Sequence, residues 1–99
     1  MKMVEHIKVG GKIYSVAYDP KLEHRGRVGE IDYRLCEISI SPDLGKQQET
    51  DVLIHEAIHG MLDFMGEDGA NNEGTVTRIA SGIMVLIKDN PELFQKILN

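Results

Sequence analysis

Between Leu53 and Met65 the apolar residues return at every third or fourth position: Leu53, Ile54, Ala57, Ile58, Met61, Leu62 and Met65. That spacing predicts an amphipathic helix with one apolar face, and it constrains the fold of this chain more than any other feature. The same stretch, VLIHEAIHGMLDF, also holds His55, Glu56 and His59. Residues i and i+4 lie one turn apart on the same side of a helix, so His55 and His59 can present two imidazoles to one ion. They fall beside the apolar stripe, where a side chain faces a cleft. Glu56 falls further round, towards solvent.

The turn signals Pro42, Asp43 and Gly45 place the start of this helix near 46, and it should run to about 65. GEDGANN follows, residues 66–72, with Gly66 suited to the position just after a helix and Asn71 or Asn72 suited to cap the next. A second helix is expected over about 73–88. DNPE opens a third over about 91–98, with Pro91 as its first residue and Asp89 or Asn90 as cap. The first half reads differently. In EHIKVGGKIYSVAYD two β-rich runs flank Gly10-Gly11, a hairpin signal. Residues 21–29 read as an irregular loop, followed by short runs near 30–33 and 37–41. Ile38 and Ile40 alternate with Glu37, Ser39 and Ser41, as on a half-buried or edge strand. Strands within about 5–41 followed by helices give an α+β class. The expected architecture is one domain over 1–99, a small antiparallel sheet packed on two helices, plus a short C-terminal helix.

Two histidines four apart with a glutamate after the first form the H-E-x-x-H arrangement: two zinc ligands and a general base. Zinc lowers the pKa of its water to about 7, and Glu56 would take the proton of that zinc-bound water as it attacks a carbonyl. A catalytic zinc usually has a third protein ligand. Asp63 lies eight residues beyond His55, about 12 Å of helix rise, too far to share one ion unless the helix breaks. It reads as a solvated or supporting carboxylate. Glu73 heads the face that carries Val76, Thr77, Ala80, Ile83, Met84 and Ile87. A carboxylate there is costly to bury unpaired, which favours a ligand, although the helix dipole alone also favours glutamate at this end. A strict helical hairpin would set Glu73 opposite Met65, so a ligand role requires the GEDGANN loop to fold back. Gly60 costs about 1 kcal/mol mid-helix relative to alanine. Either another backbone approaches closely there or the small residue is simply tolerated.

HEAIHG followed by EGTVTRIA resembles the zincin metallopeptidases of the gluzincin type, and most of all the ImmA/IrrE-type peptidases with their small phage-encoded relatives. The resemblance spans about 47–87, and the preceding β-region in general layout. It implies His55, His59 and Glu73 as zinc ligands, Glu56 as base, and an edge strand against which an extended peptide substrate lies, for which 37–41 is the candidate. Thr77 stands where the family usually has Asn or Asp. An oxyanion donor is also implied, with Tyr33, His24 and Arg25 all available.

The formal net charge of −5 and the lack of a basic run argue against nucleic acid as a partner. With Cys36 as the only cysteine there is no intrachain disulfide, and no stretch approaches the length of a membrane span. Glu5, His6 and Lys8 interrupt any signal-peptide run, so the cytoplasm is the expected location. His6 reads as a surface strand residue, Cys36 as a small buried apolar one, and Met61, Met65 and Met84 as core. The expectation is therefore a zinc-dependent peptidase acting on a peptide or protein. Its rivals are a module in which zinc only staples a small core, and a metal-free interaction or regulatory protein, either of phage or mobile-element origin. The oligomeric state is open.

Overall fold

The computed structural model describes residues 4–99. Four strands come first: β1 His6–Val9, β2 Lys12–Tyr18, β3 Gly29–Asp32 and β4 Glu37–Ile40. Three helices follow: α1 Lys46–Phe64, α2 Glu73–Asp89 and α3 Pro91–Leu98. The class is α+β, as the pattern of periodicities predicts. Gly10 turns the β1–β2 hairpin at φ 60°, a left-handed conformation that glycine adopts without a Cβ penalty. In β2, Tyr14 and Val16 point into the core while Ile13, Ser15 and Ala17 are exposed.

The sheet order is β1-β2-β4-β3, and here the structure corrects two expectations. The sheet is mixed: β4 runs parallel to β2, with Ser15 opposite Glu37 and Tyr18 opposite Ile40. The cause is the connection after β2. Pro20–Arg25, which takes in the first part of the loop expected over 21–29, forms a 3₁₀ helix capped by Asp19, whose side chain accepts from the Lys21 N–H, and ended by Gly26 at φ 68°. With Leu22 buried beneath it, this helix carries the chain past one strand position to the far edge. β3 then pairs antiparallel with β4, which returns into the gap beside β2. Hence β4 is an interior strand, with Ile38 and Ile40 fully buried, and the edge strands are β1 and β3 instead.

α1 is the middle of three layers. Val52 and Leu53 pack on Tyr14, Val16, Ile38 and Ile40 of the sheet. Ile58 and Leu62 pack on Val76 and Ala80 of α2. Two buried faces explain why Val52, Glu56, His59 and Gly60 are buried alongside the predicted apolar residues. Met65 lies past the end of α1 and is exposed, not core. Met61 and Met84 are half-buried. Cys36, also half-buried, sits at φ 55° in the β3–β4 turn, where its Sγ lies 3.6 Å from the Tyr33 carbonyl. His6 is exposed on β1, as expected. No helix among the described residues is long and apolar enough to cross a membrane.

Gly60 is explained by approach, though of side chains and not backbone. A Cβ there would stand 3.3 Å from Ile31 Cδ1 and 3.5 Å from the Tyr14 ring. Gly29 is tighter still. Its Cβ would meet Val52 Cγ1 at 2.5 Å and Glu56 Oε2 at 3.1 Å. Gly29→Ala is therefore expected to push β3 off α1 and destabilise the fold by about 1–3 kcal/mol, the usual cost of overpacking. Urea unfolding measures this directly, and an unchanged midpoint would show that β3 moves freely.

Candidate metal centre

The loop between α1 and α2 decides whether its side chains meet. Met65 is the C-cap just past α1, and Gly66 follows in the left-handed conformation at φ 71°. The Gly66 N–H then donates to Asp63 O and the Glu67 N–H to Leu62 O, each at 3.0 Å. Two further turns, Ala70 N–H to Glu67 O and Asn72 N–H to Gly69 O, fold the chain back over His59. Asn72 caps α2 by accepting from the Thr75 N–H at 2.9 Å, which makes Glu73 the first helical residue. The fold-back that a ligand role for Glu73 demands is thus built from backbone turns.

His55, His59 and Glu73 meet at this point. Glu73 Oε2 lies 2.9 Å from His55 Nε2, and Oε1 lies 2.8 Å from His59 Nε2. The two rings stand edge to face with centroids 5.0 Å apart. Among the described residues this trio is a group whose ligand atoms all lie within 4.8 Å of one another. Partial burial works against the charged form of Glu73. The His55 hydrogen bond and the neighbouring imidazoles outweigh it and hold the carboxyl below its ordinary value.

The donor chemistry of the trio fits a cation. His59 Nδ1 lies 2.6 Å from the Ala70 carbonyl, which can only accept, so Nδ1 carries the proton. In the neutral ring, Nε2 then turns a lone pair towards a carboxylate oxygen at 2.8 Å. Two acceptors at that distance repel unless a proton or a metal cation lies between them. A backbone carbonyl behind one imidazole is also the usual support of a metal-ligating histidine. Two nitrogens and one oxygen suit a transition-metal divalent ion, since Ca²⁺ and Mg²⁺ call for all-oxygen sets.

Glu56 departs from expectation. It does not face open solvent but is 6% exposed, wedged where α1 meets β3 at Gly29. Burial pushes its carboxyl up to about 7, with His59 opposing and Glu73 adding to the rise. A carboxyl near neutrality can both accept and return a proton.

The trio and Glu56 lie in a cleft of about 940 Å³ lined by β3 on one side and by α1 and α2 on the other. Of the three candidate oxyanion donors only Tyr33 lines it. Arg25 lies outside, held by Glu30 at 3.1 Å and Asp19 at 3.9 Å, and His24 is exposed on the 3₁₀ helix. Asp63 turns away from the trio to Lys12, 3.6 Å from its ammonium. Gly29, Arg27 and Asn71 also line this cleft, and no motif marks them as site residues. A glycine opening a strand signals close approach, so Gly29 was detectable. Of the two cap candidates Asn71 and Asn72, it is Asn72 that caps α2. No family model, curated protein or solved structure matches the chain.

Proposed function

We propose that this protein is a zinc-dependent metallopeptidase, a minimal zincin-type hydrolase of peptide bonds. The observation that carries the reading is the meeting of His55, His59 and Glu73 in one cleft with a buried carboxyl, Glu56, beside them. His55, His59 and Glu73 hold the ion, and the Ala70 carbonyl fixes the tautomer of His59. When bound, zinc supplies a Lewis acid and a water acidified to a pKa of about 7. Glu56 would take a proton from the attacking water and return it to the leaving amine. Its burial keeps the carboxyl near the neutral pH at which such an exchange is efficient. β3 pairs with β4 on one side only, and its residues 29–31 line the cleft, so an extended peptide can add there as a further strand.

The test is elemental analysis of protein purified without a metal-affinity column, followed by incubation with a peptide library. One zinc per chain and cleavage that a chelator stops are expected. Glu73→Gln should weaken zinc binding, whereas Asp63→Asn, whose carboxylate belongs to Lys12, should not. Full zinc without cleavage of any peptide would make the ion a staple for the α1–α2 contact. A chain that takes up no zinc would leave the trio as a structural hydrogen-bond cluster.

A further inference from the structure

Peptide hydrolysis needs more than a base. As the water oxygen bonds to the carbonyl carbon and its proton passes to Glu56, the C=O π pair moves onto oxygen, and that oxygen wants a donor. Arg27 is paired with Glu30 at 3.6 Å. Lys88 lies fifteen residues along α2 from Glu73, roughly 22 Å of helix rise. Thr77 and Ser81 sit one and two turns past Glu73 on the same helix.

Tyr33 is in place, but its one proton is committed: the phenol donates to Asn71 Oδ1 at 2.9 Å, across 38 residues of sequence. Burial first, then the negative charges of Asp63 and Glu56, push the Tyr33 phenol up to about 12, so it stays a donor at any working pH. The bond turns the oxygen end of the Asn71 carboxamide towards Tyr33 and the NH₂ end away. Nothing among the described residues accepts from that nitrogen. Asn71 lines the same cleft as His55, Glu56, His59 and Glu73, and lies two residues before Glu73 in the fold-back loop.

We propose that the Asn71 side-chain amide binds the carbonyl oxygen of the scissile peptide as it becomes negative, and that Tyr33 is the positioning residue that orients it. This rests on the hydrolytic reading above. The amide is a preoriented neutral donor held by a hydrogen bond from the opposite wall of the cleft, so it need not reorganise as charge develops.

The experiment compares wild type, Asn71→Leu, Tyr33→Phe and the double variant, all loaded with zinc. Asn71→Leu should lower kcat by about 10²–10³-fold, the usual cost of one oxyanion donor, with KM nearly unchanged. Affinity for a phosphinic peptide, whose tetrahedral P–O⁻ imitates the charged oxygen, should fall in step with kcat in a calorimeter, while affinity for the product peptides holds. Tyr33→Phe should lose less, and adding it to Asn71→Leu should cost nothing further, because it acts only through the amide. Zinc affinity and melting temperature, measured on every variant, should stay at wild-type values. A parallel fall in zinc affinity would overturn the donor role and make Asn71 a support for Glu73. Wild-type cleavage with equal cleavage by Asn71→Leu would remove the donor assignment alone. A zinc-loaded wild type that cleaves nothing would remove the hydrolytic reading, and the donor role with it.

Discussion

Glu56→Gln is expected to lower peptide cleavage by about 10²–10⁴-fold and, in the metal-free protein at pH 8, to raise the melting temperature. Both effects come from one burial. Wedged between α1 and β3, the Glu56 carboxyl is raised from 4.5 to about 7. For an acid raised in the folded state, the unfolded chain gives up its proton first as pH climbs. This group's favourable contribution is therefore present below about 4.5, is lost between about 4.5 and 7, and stays lost above. A difference of that size corresponds to roughly 3 kcal/mol, which is on the order of 10–25 °C in a domain of this length. Glutamine has the same shape and no charge to bury, so metal-free Glu56→Gln should outlast wild type at pH 8 and nearly match it at pH 4.5. Thermal melts of both proteins in chelator at the two pH values decide it. A variant no more stable than wild type at pH 8 would mean the carboxylate is well solvated after all, and the poised-base account would lose its physical ground. A gain in stability with a loss of activity is the signature of a group kept for chemistry at the expense of the fold.

What could be read in advance was mostly local. Gly10-Gly11, the Asn72 cap, Gly66 after α1 and Pro91 opening α3 each act within a few residues, and the structure uses each as predicted. Strand direction is different in kind. The alternation of Ile38 and Ile40 reports which face is buried, but period two is the same for a parallel and an antiparallel neighbour. Whether β4 lies at an edge depended on the 3₁₀ helix of Pro20–Arg25, whose charged residues look like loop. The site shows the same division. His55 and His59 follow from helical spacing alone, and Glu73 from its place at the head of a face. Glu56 was misplaced because a helical wheel drawn about one apolar stripe assumes one packing partner, whereas α1 has the sheet on one side and α2 on the other. Ala70 was beyond reach in principle: it acts through its backbone carbonyl, and any residue has one.

If His55, His59 and Glu73 hold zinc as proposed, removing it should cost this protein much of its stability. His55 and His59 belong to α1 and Glu73 to α2, so an ion held by all three ties the two helical layers together, and its binding free energy becomes folding free energy. At free zinc 1,000 times Kd the gain is about 4.1 kcal/mol, equivalent to roughly 15–30 °C for a small domain. A chelator should therefore lower the melting temperature by an amount of that order, and added zinc should restore it. The ligands should differ in what else they do. His59 is 4% exposed and holds the fold-back loop through the Ala70 carbonyl, whereas the His55 side chain is more open. His59→Ala should thus melt below wild type even in chelator, because it frees the loop as well as the ion. His55→Ala, which loses only a more exposed bond to Glu73, should melt closer to wild type in chelator and stop responding to zinc. Wild type that loses its metal with no change in its melting curve would reject the coupling. Equal metal-free stability of the two alanine variants would reject the anchoring role of His59, and would leave the fold-back loop to its own backbone turns.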